Sequence, residues 1–134
     1  MSYQILSGSP ETGEEIHARL RAYNARYLTD SDEFSLCVRD AAGDLLAGIA
    51  VSRDLDCLTV DYLFVEERAR RGGLGRALLE RAEAEGRRQG ARRVILNTFS
   101  FQAPGFYEKQ GYRLFGKIDP CLGEYGQYFY VKLL

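Results

Sequence analysis

The chain has 134 residues, 46% apolar and 28% charged, with a formal net charge of −1. This is the make-up of one globular domain built on one core, expected to run over residues 1–134. The balance leaves no electrostatic footprint for nucleic acid or an anionic membrane. Three cysteines, Cys37, Cys57 and Cys121, are an odd number without ligand spacing, so neither a disulfide framework nor a metal site is expected. A basic leader and an apolar run of about 20 residues are both missing, which predicts a cytoplasmic protein.

In chain order, Tyr3 to Leu6 reads as a short first strand. Ile16, Leu20, Tyr23 and Tyr27 then fall on one face of a helix. Core packing is the favoured role for the two tyrosines, ahead of substrate contact, and His17, beside Ile16, is expected to face solvent. Phe34–Val38 and Leu45–Val51 form a hairpin around the turn at Ala41–Asp44. Leu58–Val65 is the most apolar strand.

A long helix is predicted over Leu74–Gln89, stopped by Gly90. Its buried stripe holds Leu74, Leu78 and Ala82, while Arg76–Glu80, Arg81–Glu85 and Glu83–Arg87 pair on the wet side. Arg93–Thr98 is a strand, and Pro104–Gln110 a short helix closed by Gly111. Tyr112–Lys117 and Gln127–Leu133 complete the set. The order β-α-β-β-β-α-β-α-β-β is mixed α/β (α+β) on one sheet, and the missing helices between the middle strands argue against a doubly wound fold.

The most informative stretch is Arg70-Arg71-Gly72-Gly73-Leu74-Gly75-Arg76, between the strongest strand and the strongest helix. A helix start leaves four N–H groups without partners, and Ser, Thr, Asp or Asn usually caps one. None of these residues stands here. Glycine allows a close approach to backbone N–H groups, the helix dipole attracts an anion, and arginine offers paired donors for phosphate oxygens. The inference is a diphosphate held by residues 70–76. The nucleotide P-loop fits poorly, because Gly75 is followed by Arg76-Ala77. The dinucleotide fingerprint lacks a small residue at Leu78.

These residues resemble the Gcn5-related N-acetyltransferase superfamily. Its phosphate-binding pattern Arg/Gln-x-x-Gly-x-Gly/Ala is matched by Arg70, Gly73 and Gly75. Ala103-Pro104-Gly105-Phe106-Tyr107-Glu108-Lys109-Gln110-Gly111-Tyr112 is similar to the family's Ala-x-x-Phe-Tyr-Glu-Lys-x-Gly-Phe. The resemblance covers at least residues 45–117. It implies the acyl-CoA N-acyltransferase fold, a splayed sheet flanked by helices, with acetyl-CoA as cofactor. Backbone groups of Phe64 and Val65 would pair with pantetheine, Arg71–Arg76 would hold the pyrophosphate, and Tyr107 would stand near the sulfur. Many members carry Asn where this chain has Ser100, which reaches less far toward the cofactor.

The reaction needs a neutral amine and a proton for the departing thiolate. A phenol, with an ordinary pKa of about 10, can supply that proton. Tyr107 is the general-acid candidate; its other reading is a packed core aromatic. Asp61 stands in an otherwise apolar strand, where alternation places it on the face of Leu63 and Val65. It either takes the amine proton through water, attracts a cationic acceptor, or is an exposed charge. Glu124 and Tyr125, between the last strands, are candidates for the acceptor mouth. A Cys–His couple has little in its favour. The expected acceptor is a primary amine of a small molecule or peptide, such as a polyamine, an aminoglycoside-like drug or a peptide N-terminus. The alternative is an acyl-CoA-binding sensor without turnover. Tyr128-Phe129-Tyr130 raises the option of a homodimer.

Overall fold

The computed structural model describes residues 2–134. Its contacts divide the chain into one unit ending at Asp30 and a second spanning Ser31–Leu134. In the first, α1 (Pro10–Asn24) starts behind Ser9, whose N–H donates to the Thr12 hydroxyl at 3.0 Å, with Pro10 in the opening turn. The predicted strand at Tyr3–Leu6 is not formed; these residues are exposed and irregular. Four residues without a neighbouring strand cannot satisfy their backbone as a ladder.

The apolar stripe does fall on a helix, but Ile16, Leu20 and Tyr23 are exposed and α1 buries no residue. Tyr27, also exposed, follows the helix and meets Tyr23 ring to ring at 5.7 Å. Within the first unit, therefore, the two tyrosines do not take the core role expected of them: spacing creates an apolar face, and that unit by itself supplies nothing to bury it. His17 is exposed, beside the Arg21 guanidinium.

The second unit is one six-stranded sheet made from β1 (Ser31–Arg39), β2 (Leu45–Asp54), β3 (Cys57–Val65), β4 (Arg93–Phe99), β5 (Arg113–Leu122) and β6 (Tyr125–Leu133). Their spatial order is β1-β2-β3-β4-β6-β5. β3 and β4 run parallel, joined through α2 (Leu74–Arg88); the other neighbours are antiparallel. The β1–β2 turn is closed by Asp40, whose carboxylate accepts the N–H groups of Ala42 and Asp44. α3 (Pro104–Lys109) precedes β5. No helix among the described residues is long and apolar enough to cross a membrane.

Alternation in β2 buries Ala47, Ile49 and Val51 on one face. Leu58 and Val60 of β3, Val94 and Leu96 of β4, and Leu78, Leu79 and Ala82 of α2 complete an aliphatic core joined by Tyr107, Tyr112 and Tyr130. Each such aliphatic side chain contributes roughly 1.5–3 kcal/mol when buried. Tyr130 is 1% exposed, so it serves the core and offers nothing to a second copy.

The charges on α2 differ from expectation. Arg76 does pair with Glu80, at 2.9 Å, but Glu85 turns to Arg88. Glu83 is buried, not on the wet side. It accepts the Tyr112 hydroxyl at 2.7 Å and the Lys132 ammonium at 2.9 Å, and Lys132 also donates to the Gln110 carbonyl. This cluster fastens α2 to the end of α3 and to β6. Residues 29 and 49 positions apart create it, beyond the reach of i,i+4 reasoning.

Candidate active site

β3 and β4 pair over three residues alone, Cys57–Arg93, Leu58–Val94 and Thr59–Ile95. Both strands continue, β3 to Val65 and β4 to Phe99, without pairing to each other. β2 still covers the other edge of β3 as far as Val65, and β6 still covers β4 as far as Phe99. The sheet therefore opens into a gap whose β3 side presents backbone groups to no strand.

A bulge prepares this opening. Val51 faces Val60, but Ala50 faces Tyr62, leaving Asp61 as the extra residue of β3. A bulge increases local twist and bends its strand. It also breaks the simple alternation used to orient Asp61: the buried set passes from Leu58 and Val60 to the half-buried Leu63 and Val65, and Asp61 is exposed. Asp61 is thus corrected from a member of that apolar face to an exposed carboxylate at the bulge. A charge inside an apolar strand was the available signal for it.

After β3 the chain makes a short 3₁₀ turn, Glu67–Ala69, and enters the glycine–arginine segment. Arg71 and Gly73 both adopt left-handed backbone, φ 69° and 82°, and Gly73 caps α2 without any side-chain hydrogen bond. The first helical hydrogen bond runs from Ala77 N–H to Gly73 carbonyl. Among the described residues, the N–H groups of residues 71–76 meet no acceptor. A left-handed residue next to a right-handed one, as Gly73 is to Leu74, turns neighbouring N–H groups into a concave anion site.

The glycines differ in purpose. A Cβ on Gly73 would meet nothing within 4 Å, so space above it is open. One on Gly75 would stand 3.5 Å from Phe106 and 3.6 Å from Val65, where α2, α3 and the end of β3 converge. Arg70 donates from Nε to the Val65 carbonyl at 3.0 Å, bracing the turn against the gap. Leu74 is half-buried, whereas Arg70, Arg71, Gly72 and Arg76 are exposed. Phe64 and Val65 stand opposite Gly48 and Ala47 of β2, beside the gap.

Tyr107 lies on α3 in a ring cluster, with centroids 5.1 Å from Phe106, 5.8 Å from Tyr112 and 6.0 Å from Tyr130. Burial pushes its phenol up to about 12. Among the described residues its hydroxyl makes no hydrogen bond, yet it is not sealed from solvent. Ser100 is already engaged: its N–H donates to the Gly126 carbonyl and its Oγ accepts the Gly126 N–H at 3.0 Å. The turn between β5 and β6 contains Gly123 and Glu124, while Tyr125 is the first residue of β6, paired with Leu122. Sequence reading missed the Ser100–Gly126 tie, which depends on a register no local pattern reveals.

A groove of about 360 Å³ lies between β1 and α2, lined by Leu36, Val38, Leu74 and Arg81. It adjoins β1, not the gap.

A splayed parallel strand pair, joined through an uncapped helix whose first N–H groups have no acceptor, defines an acyltransferase-type fold with an anion-binding turn. The profile of the acetyltransferase (GNAT) family matches residues 3–112, and the chain belongs to that family. It is 43% identical over 77 residues to blasticidin-S acetyltransferase of Streptomyces morookaense, covering 57% of each chain. The matched stretch thus spans little more than half of that relative's length. A crystal structure of an acetyltransferase from Bacillus cereus superposes with a TM-score of 0.87 at 34% identity, covering 98% of both chains. A provisionally assigned streptothricin acetyltransferase of Bacillus anthracis, solved with acetyl coenzyme A, shares the fold with a TM-score of 0.67. It is 15% identical, with 81% of this chain and 66% of that one covered.

Proposed function

We propose that this chain is an N-acetyltransferase that moves an acetyl group from acetyl-CoA to a primary amine of a small molecule by direct attack. The observation that carries the reading is the run of unpartnered N–H groups over residues 71–76 beside the open end of β3. The residues fit the cofactor: Gly73 leaves the turn accessible, no side chain plugs the helix start, and the gap offers a free strand edge to amides. The reading takes residues 1–134 as one acetyltransferase domain, and the name of the Streptomyces relative supports a small-molecule acceptor over a peptide.

Acetyl-CoA supplies an activated acyl carbonyl when bound. Backbone groups of Phe64 and Val65 hold its pantetheine amides, Arg70 bracing the carbonyl of Val65. Gly72, Gly73, Leu74, Gly75 and the backbones of Arg71 and Arg76 bind the pyrophosphate, with the exposed Arg71 guanidinium adding charge. The Tyr107 hydroxyl would supply the proton for the departing thiolate; a phenol is protonated at neutral pH, and burial raises its pKa further. Asp61 draws the amine and accepts its proton through water. Glu124 and Tyr125 line the acceptor mouth. Ser100 positions Gly126 and keeps its own hydroxyl proton for the cofactor.

Release of free thiol from acetyl-CoA, measured over a panel of amines, tests the reading. Amine-dependent release is expected. Coenzyme A binding with no release against any amine would instead support the sensor alternative.

A further inference from the structure

We infer that the acceptor of this enzyme carries a flat, unsaturated ring on the same small molecule as its aliphatic amine, and that the ring lies on an aromatic shelf made by Phe99, Phe101 and Tyr125. The inference rests on the acetyl-transfer reading above and adds the substrate class. Phe99 is the last residue of β4, the strand that forms one side of the gap. Its ring stacks on Phe101 at 5.5 Å with planes 19° apart, and Phe101 meets Tyr125 edge-on at 5.0 Å and 77°.

None of the three rings belongs to the core cluster. Phe101 keeps 61% of its surface exposed and Tyr125 43%. Ordered rings that contribute so little to the core, at the lip of a gap, mark a place for a ligand. The shelf is also held in place: both hydrogen bonds between Ser100 and Gly126 tie the segment carrying Phe101 to the start of β6. Glu124, next to Tyr125, is exposed and makes no ion pair among the described residues. An aromatic surface flanked by a free carboxylate suits a planar ring with a cationic amine on a short side chain. Stacking rewards a π-face over a saturated ring of the same size, and that difference is what the shelf predicts.

The chain has no tryptophan, so indole fluorescence reports added tryptamine alone. With protein loaded with coenzyme A, tryptamine anisotropy should rise. 2-Phenylethylamine should displace it at about tenfold lower concentration than 2-cyclohexylethylamine, the size of one aromatic pair. Phe101→Ala and Phe101→Leu should both weaken tryptamine by about tenfold while leaving coenzyme A affinity unchanged. Phe115→Ala, at an exposed ring that contacts Phe129 instead, should change nothing.

Equal displacement by the two amines, or full tryptamine affinity in the Phe101 variants, would overturn the shelf. So would an equal loss in Phe115→Ala, or a dimer in sedimentation that Phe101→Ala dissociates, which would give the patch to a second copy. Intact coenzyme A binding with no ring preference removes the shelf alone. Wild-type protein that fails to bind coenzyme A removes the transfer reading with it.

Discussion

At the residue scale, Gly73 and Tyr107 each hold a position that another side chain would spoil for a definite reason. Gly73 sits at φ 82° with open space where a Cβ would stand. Gly73→Asn tolerates the left-handed backbone and adds no charge, so it should keep most of the affinity for acetyl-CoA. Gly73→Asp places a carboxylate among the free N–H groups and should weaken binding at least about tenfold beyond Asn. Calorimetric titration checks the pair, and equal affinities would misplace the pyrophosphate. Tyr107→Phe removes one hydroxyl from a packed ring cluster and should lower kcat roughly a hundredfold with cofactor affinity little changed.

The raised phenol also fixes a pH dependence. An unfolded tyrosine titrates near 10, and burial in the fold pushes Tyr107 up to about 12. The fold therefore favours the protonated phenol. This group costs no stability below about pH 10, and stability falls as pH rises from there toward the folded value. Catalytically, kcat/KM should climb as the amine loses its proton and show no fall from phenol ionisation below about pH 11. An alkaline limb near neutrality in the wild type, absent from Tyr107→Phe, would contradict that assignment.

At the element scale, α2 carries different chemistry at its start and in its middle. Its N-terminus leaves its donors open for a ligand, while its middle is fastened by the buried Glu83. Tyr112→Phe deletes one charge-assisted hydrogen bond to that carboxylate and should cost about 1.5–3 kcal/mol. Chemical denaturation measures this, and a change of a few tenths would show that Lys132 alone satisfies Glu83. Because Lys132 also holds the Gln110 carbonyl at the end of α3, the cluster fixes the helix that carries Tyr107. Most strand and helix positions were legible in sequence, since hydrophobic alternation and Gly or Pro punctuation act locally. The β3 bulge was not: an extra residue leaves no mark until the register against β2 is known. Glu83 failed the same way, its spacing to Arg87 having suggested a surface pair while its partners lay far along the chain.

At the scale of the whole molecule, ligand binding to the folded state should appear as stability. Acetyl-CoA at about 100 times its Kd should add about 2.7 kcal/mol, seen as a higher Tm, and ATP should add little at the same concentration. Stabilisation by ATP but not by acetyl-CoA would reassign the turn to a nucleotide.

By itself the sequence determined the family-like glycine–arginine turn, the aromatic motif with Tyr107, and the succession of elements that places both beside one sheet. These are properties of neighbouring residues: backbone freedom, periodicity and the lack of a capping side chain. Tertiary structure alone decided that β3 parts from β4 after three residue pairs, that Asp61 stands out at a bulge, and that Ser100 is tied to Gly126. Each depends on which distant segment arrives opposite, and at which register. Local pattern can propose a surface; only the packed chain supplies, or withholds, its partner.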